Sequence, residues 1–351
     1  MNYMQQAGVL ELTGNFGAAM RCLDAAQAQA MANDLLRKHY QQSLARLCGR
    51  IDGAGVMRNL AVTQLYQGAE SPDSYDFETE AGSNAPARPI VSLTTIAARM
   101  PRLERTIDSM LAQQLPAHSI NLFISREPFL VDEGIAPDDA RLGALARKGV
   151  NIYHCANIGP YRKQYPLLSI LHAAGAHPQT PIVTIDDDVL YPSDTLQRLV
   201  AGLYESDCVT SFRGRVLATD EHGIASYKQC GEPGVAISLS NIGTGKNGIA
   251  YKLGFFPQST SHYVGPLLAP TADDIWCKWV TATVCIPTCI LVPQAAFDPS
   301  LDFAETDPED KLGLFHKYNA RGSNDDAIRS LELWFTNKST GLHALIRDVK
   351  R

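Results

Sequence analysis

Three consecutive aspartates, Asp186-Asp187-Asp188, follow directly on the run Pro181-Ile182-Val183-Thr184-Ile185 and precede Val189-Leu190-Tyr191-Pro192. A short apolar, β-branched run reads as a buried strand, which puts the acids at its C-terminal tip. Adjacent carboxylates repel one another, and a cation beside them relieves the repulsion. Ligands that are all oxygen suit a hard divalent ion, Mg2+ or Mn2+, and such ions commonly hold substrate phosphates. A solvated acidic turn is the alternative. The strand before the triplet and the Pro192-Ser193-Asp194 helix start after it favour the metal site.

Three further stretches carry usable groups. In Ser92-Leu93-Thr94-Thr95-Ile96-Ala97-Ala98-Arg99 a strand runs into a turn and helix, where hydroxyls and free backbone N–H groups suit a nucleotide and Arg99 suits a phosphate or base. Asn157-Ile158-Gly159-Pro160-Tyr161-Arg162-Lys163 is a Gly-Pro turn followed by two cations that suit a diphosphate, or else a solvated basic turn. In Ala272-Asp273-Asp274-Ile275-Trp276 the acids are helix caps, or else a general base placed beside an aromatic face for a sugar ring. Gly243-Thr244-Gly245-Lys246-Asn247-Gly248 fits G-x-G-x-x-G literally, but its flanks lack the strand and helix of a dinucleotide fold, so it reads as a flexible pocket loop. Walker A and G-x-S-x-G sequences are absent.

The elements that must position these groups change character along the chain. Residues 1–67 read as helical, with Leu10, Leu12, Phe16, Met20 and Leu23, then Leu35, Leu36, Tyr40, Leu44 and Leu47, at helical spacing. Residues 68–88 lose apolar periodicity and read as a linker. From residue 89 strand and helix alternate. Strands are expected at 90–95, 120–125, 150–153, 182–185 and 209–212. Helices are expected around Leu103, Ile107, Met110 and Leu111, over 165–174, and around Leu196, Leu199, Val200 and Leu203. Such a rhythm implies a mainly parallel sheet with helices on both faces and ligands at the carboxyl ends of its strands. Residues 231–270, rich in Gly, Ser and Pro, read as long loops around a pocket. A helix follows from Asp273, then a strand over 285–292, an acidic loop over 299–310, and a last helix carrying Ile328, Leu331 and Trp334.

Bulk properties narrow the classes. A chain of 351 residues can bury a sizeable core, and 45% hydrophobic with 19% charged residues is ordinary globular composition. A net charge of −6 without a long basic run argues against a nucleic-acid partner. The eight cysteines form no C-x-x-C pair and suit a reducing compartment. No signal-peptide pattern and no apolar run of membrane-spanning length is present, so a cytoplasmic location is expected, with the N-terminal helices as candidates for docking a protein partner or the inner face of a membrane.

Taken in order, Val91–Thr95 with Arg99, Asn157–Pro160 with Lys163, and Ile185–Asp188 with Tyr191-Pro192 resemble bacterial glycosyltransferases of the GT-A fold, close to the family-2-like capsule and lipopolysaccharide enzymes. Residues 245–251, 272–276 and 322–326 continue the resemblance, which spans residues 89–335. It implies a Rossmann-like α/β domain over 89–351 and a metal-dependent transfer from a nucleotide-sugar, a UDP-sugar by family habit, to a carbohydrate or lipid-linked glycan acceptor. The implied donor contacts are Thr94, Thr95, Arg99, Lys163, Asp186 and Asp187, with Gly245 and Gly248. Lys246 and Asn247 intervene where many relatives carry adjacent glycines. Asp186 and Asp188 match the D-x-D acids that hold Mn2+ or Mg2+. Asp273 or Asp274 falls where the family's general base sits, and Trp276 is expected to face the acceptor. His262 and His316 are candidates for a third metal ligand. The resemblance implies inversion in a single displacement. Two other readings stand beside it: a sugar nucleotidyltransferase, against which the absence of glycine from Thr94–Arg99 argues, and a non-catalytic sugar-binding scaffold.

Overall fold

The computed structural model describes residues 3–12, 15–31, 37–38, 40–51, 87–220, 223–233, 236–257, 264–292, 302–338 and 341–349. Most of the expected linker, and His262, lie outside the described residues.

The described residues contain ten strands: β1 (Ile90–Thr94), β2 (Ser119–Ile124), β3 (Val150–His154), β4 (Pro181–Thr184), β5 (Val209–Ser211), β6 (Gly214–Val216), β7 (Ile237–Ser238), β8 (Asn241–Gly243), β9 (Ile249–Lys252) and β10 (Thr288–Ile290). Eight of them form one sheet in the order β3-β2-β1-β4-β9-β5-β10-β7. Pairings β1–β2, β2–β3, β1–β4 and β5–β10 are parallel, while β9 runs antiparallel between β4 and β5. The fold is therefore α/β with a mainly parallel sheet, as the strand-helix rhythm predicts. β1 and β4 are interior strands with every residue at least partly buried, which is why they read as mainly apolar or β-branched runs rather than alternating ones, Ser92 being the polar residue within β1.

The helices are α1 (Tyr3–Leu12), α2 (Phe16–Met31), α3 (residues 40–51), α4 (Met100–Leu111), α5 (Ala140–Arg147), α6 (Tyr165–Ala173), α7 (Thr195–Ser206), α8 (Gly265–Leu268), α9 (Asp273–Thr283), α10 (Leu314–Lys317), α11 (Ser323–Lys338) and α12 (Leu342–Val349). α4 buries Leu103, Ile107 and Met110, but Leu111, expected on the same face, is 47% exposed. α7 buries Leu196, Leu199, Val200 and Leu203 as their spacing requires. Among the described residues no helix is long and apolar enough to cross a membrane.

The N-terminal helices pack on the rest of the chain. Met20 and Leu23 of α2 are buried, Gly17 approaches the Leu268 carbonyl so closely that a Cβ would lie 3.3 Å from it, and Arg21 lies 3.4 Å from Asp326. Glu11, itself buried, receives Arg46 at 3.1 Å and Arg50 at 3.5 Å, tying α1 to α3.

Two expectations fail. Residues 231–270 are not long loops throughout: they contain β7, β8 and β9, and β8 pairs with β6 in a two-stranded ribbon. Strands of two to four residues are too short to show a period, and Gly243 sits within one of them. The late strand expected over 285–292 is confined to β10.

Chain order then locates the ligand crevice. From β1 the sheet grows outward through β2 to β3, and β4 returns to the other side of β1. The gap beyond the carboxyl ends of β1 and β4 is the point where strand order reverses, which is where open α/β sheets bind ligands. Thr94–Arg99 and Asp186–Asp188 are the segments that leave β1 and β4 at this gap, and they meet there. A second requirement is tight packing behind this gap. At Gly265 a Cβ would stand 2.4 Å from Tyr161 Cε1 and 2.8 Å from Trp276 Cγ. Gly265→Ala is therefore expected to lower stability by about 1–3 kcal/mol through overpacking, read as a lower urea midpoint at unchanged slope; an unaltered midpoint would show that this aromatic layer can yield.

Candidate active site

A cavity of about 520 Å3 lies at the carboxyl ends of β1 and β4. At its floor, the chain leaves β4 and turns at Asp187-Asp188, and this turn divides the three aspartates. Asp187 turns inward, where Thr95 Oγ1 donates to its Oδ2 at 2.5 Å and Arg99 Nη1 lies 2.7 Å from its Oδ1. Asp186 and Asp188 are 33% and 28% exposed and face the cavity. The Ala97–Arg99 turn after β1 returns Arg99 to the triplet, where its guanidinium also meets Asp188 at 2.9 Å and Asp310 at 2.8 Å. Thr94 borders the cavity, but its hydroxyl donates to the Phe123 carbonyl at 2.7 Å and so pins β1 to β2.

The Gly159–Lys163 turn supplies the second cation. Gly159 has φ +64°, a conformation that glycine adopts without strain, and Asn157 Oδ1 accepts its N–H at 3.1 Å. The turn splits the two basic residues. Arg162 points into the protein, 2.9 Å from Asp132, with both side chains 2% exposed. Arg162 also donates to the carbonyls of Thr95 (3.1 Å) and Gly159 (3.2 Å), while Asp132 accepts the Ala97 N–H at 3.1 Å. This buried pair thus ties the turn after β1 to the Lys163 turn. Lys163 points the other way, and its Nζ bridges Asp186 at 2.8 Å and Asp273 at 3.1 Å.

Facing the triplet is the start of α9. Its N-cap is Ala272, so Asp273 and Asp274 occupy the first turn, where negative charge is favoured by the helix dipole. Asp274 Oδ2 accepts the Gly245 N–H at 2.8 Å. A Cβ at Gly245 would lie 3.0 Å from Asp274 Oδ1 and 3.6 Å from Asp186 Oδ1, so a glycine here lets the chain pass between the two acids. Gly245–Asn247 forms a compact turn between β8 and β9, in place of the flexible loop expected.

Charge crowding sets the acidities. Burial and the neighbouring charge of Asp187 push the Asp188 carboxyl up to about 7 against the pull of Arg99. Burial and the charge of Asp273 likewise push Asp274 up to about 7, against Lys163. Burial also opposes ionisation of Asp186, but Lys163 outweighs it and holds that carboxyl below its usual range.

Two assigned roles do not survive the geometry. Trp276 is 1% exposed, stacked on Phe256 (6.2 Å between centroids) and set against Tyr161 and Tyr165, so it is a core residue with no face for an acceptor. Two residues beyond Asp274, the helix has turned through about 200°, which carries Trp276 to the opposite side. Gly248 does not border the cavity; it has φ +89°, and a Cβ there would meet Leu199 Cδ1 at 3.2 Å. His316 lies on the cavity rim.

Sequence reasoning missed the cavity's charged wall. Arg213 and Lys246 lie 2.9 and 3.3 Å from Asp302, and Lys246 lies 2.7 Å from Glu305. The acids come from the segment read only as an acidic loop. Their distance in sequence from Arg99, Arg213 and Lys246 left no local signal.

The chemistry of the donor set fits a hard cation. Asp186 and Asp188 offer only oxygen, both open to the cavity, and Asp188 is crowded by like charge. Among the described residues no three His, Cys, Asp or Glu side chains form a metal cage. Mg2+ in particular needs none, since it is held by one or two carboxylates with water and substrate phosphates.

No protein-family model and no curated protein matches this chain. Solved structures resemble it distantly. A 4-diphosphocytidyl-2C-methyl-D-erythritol synthase is 13% identical, covering 64% of this chain and 95% of its own, with a TM-score of 0.39. The mannosyltransferase PcManGT from Pyrobaculum calidifontis, solved with GDP-Man and Mn2+, is 14% identical, covering 87% and 86%, with a TM-score of 0.38. TarS 1-349 from S. aureus is 12% identical, covering 74% and 83%, with a TM-score of 0.32. Likeness this distant leaves function to be read from the cavity's own chemistry.

A carboxyl raised from 3.8 to about 7 on folding is still protonated in the native state where the unfolded chain has ionised, so it destabilises the fold as pH rises from about 4 to 7. Asp188→Asn removes its share of that loss. Between pH 4.5 and 7 the melting temperature of the variant is expected to fall less than that of the parent; parallel profiles would contradict the crowding of Asp188.

Proposed function

We propose that the protein is a glycosyltransferase of the GT-A type, which moves a sugar from a nucleotide-sugar donor to a hydroxyl of a carbohydrate or lipid-linked glycan. The observation that carries this reading is the single cavity wall shared by Asp186, Asp188, Lys163, Asp273 and Asp274, at the switch point of a mainly parallel sheet. The order of those residues along the chain, and their resemblance to the GT-A segments, support it further.

In this reading Asp186 and Asp188 are the residues that would hold a divalent ion, Mn2+ or Mg2+, and the ion would supply positive charge for a leaving nucleoside diphosphate. Lys163 and Arg99 lie beside the same acids and add positive charge where the diphosphate would develop its own. Asp274 is the general base. Its acidity near 7 suits proton transfer at neutral pH, and the Gly245 N–H orients it. Asp273, held by Lys163, is the positioning partner. The acceptor oxygen bonds to the anomeric carbon as its proton passes to Asp274. The bond from that carbon to the phosphate oxygen breaks, and its electron pair leaves with the diphosphate, giving inversion.

Donor class is tested by a melting-temperature screen of nucleotide-sugars with and without Mn2+, since a ligand of the native state raises its stability by mass action. Any pairing that stabilises the protein only with metal supports the reading, and a flat screen would count against it. Asp274→Asn is expected to reduce kcat by a factor on the order of 100 or more while UDP binding with Mn2+ stays within about twofold. In the parent, kcat/KM is expected to rise with pH through about 7 as Asp274 loses its proton. Full turnover in the variant would place the base elsewhere.

A further inference from the structure

The hydroxyl of Tyr191 lies where the donor side and the base side of the cavity meet. Tyr191 is 4% exposed, and its ring stands edge-on to Phe303 with centroids 6.0 Å apart. That packing needs only a ring, so the hydroxyl calls for a separate account. Its oxygen accepts the backbone N–H of Asp186 at 2.9 Å, and its O–H has the carbonyl of Lys246 as its nearer acceptor, at 3.2 Å against 3.4 Å to the Asp186 carbonyl.

Lys246 is the middle residue of the turn whose first amide, Gly245 N–H, holds Asp274 Oδ2 at 2.8 Å. The turn closes on itself through Gly248 N–H to the Gly245 carbonyl at 2.8 Å. A continuous path therefore runs from the Asp186 backbone through one phenol to the turn, and from the turn to the Asp274 carboxylate. The side chain of Lys246 is held on the far side by Asp302 and Glu305, so the phenol restrains the turn from the side of the triplet.

We propose that Tyr191 is a positioning residue for sugar transfer: its hydroxyl clasps the Gly245–Asn247 turn to the end of β4 and so fixes Asp274 at its distance from the donor-binding acids. The clasp also gives the Gly243–Gly248 stretch a role that its resemblance to a nucleotide-binding sequence does not: it carries the base's hydrogen-bond donor. The proposal rests on Asp274 being the base.

Tyr191→Phe keeps the ring against Phe303 and removes only the hydroxyl. Displacement of a catalytic group by an ångström costs on the order of 100-fold in rate, so kcat of the variant is expected to fall by about 10- to 100-fold. Donor KM, and the affinity for UDP with Mn2+ by calorimetry, should stay within about twofold, because Asp186 loses only an acceptor for its backbone N–H while the side chains of Asp186, Asp188 and Lys163 keep their own ion pairs. Hydrogen exchange at the Gly245 and Gly248 amides should quicken about tenfold or more, with strand amides of β1 and β4 unchanged. Parent-like exchange and kcat in the variant would overturn the proposal. So would a joint loss of turnover, UDP affinity and sheet protection, which would make the hydroxyl a general structural support. If the parent itself transfers no sugar, the base assignment fails, and the exchange contrast still decides whether the clasp holds the turn.

Discussion

The site depends on the pairing of one carboxylate cluster with two cations delivered by different elements. Three adjacent acids at a strand end, mostly buried, are mutually repulsive, and desolvation adds to the cost. Arg99 reaches them from the turn after β1 and Lys163 from the turn before α6. Each cation then binds a second, distant carboxylate, Asp310 for Arg99 and Asp273 for Lys163. The triplet is therefore a hub through which β1, the Lys163 turn, α9 and the chain around Asp310 are set relative to one another. Removing either cation leaves buried charge uncompensated at the place where a phosphate ligand would bind. The Arg162–Asp132 pair lies behind this hub and keeps its two supporting turns in register.

The segment from Asp302 to Asp310 completes the enclosure. Its backbone runs antiparallel to Asp188–Leu190, with Thr306 N–H donating to the Asp188 carbonyl at 2.8 Å and Leu190 N–H to the Ala304 carbonyl at 2.7 Å. Phe303 anchors it against Phe212, 4.9 Å between centroids. Asp302 and Glu305 neutralise Arg213 and Lys246, Asp307 pairs with Arg102, and Asp310 neutralises Arg99. An anionic ligand entering the cavity meets Arg99, Lys163, Arg213 and Lys246 already paired with carboxylates, so at these cations its affinity is set by the exchange of one anion for another. That constraint favours a ligand that brings compensating positive charge with it, as a metal-bound diphosphate does.

Much of the fold was legible because β1 to β4 are short runs rich in apolar and β-branched residues, and helices α4, α6 and α7 carry apolar residues at helical spacing. The acid triplet was legible for the same reason: a strand that ends in carboxylates is a feature of twelve adjacent residues. Arg99 and Lys163 were legible as cations near strand ends, although their partners were not. Asp310 lies 211 residues from Arg99, and no local pattern encodes such a pairing. Trp276 was misread because an acid and an aromatic two apart look adjacent in sequence, while a helix sends them to opposite sides. β6 to β9 escaped because strands of two to four residues, one containing Gly243, show no period; their placement comes from pairing with partners distant in sequence, β6 with β8, β7 with β10 and β9 with β4 and β5. Tyr191 was noticed only as part of the Tyr-Pro that follows the triplet, since its significance lies in a hydroxyl that touches a turn 55 residues onward.

Anomalous diffraction at the manganese edge, from a crystal soaked with Mn2+ and UDP, tests the central claim most directly. The account predicts a single strong peak within bonding distance of the Asp186 and Asp188 carboxylates, with the diphosphate oxygens on its other side and Lys163 beside them. Ordered nucleotide elsewhere on the molecule, or a cavity in which those carboxylates keep Arg99 and Lys163 and bind no metal at saturating ligand, would contradict it.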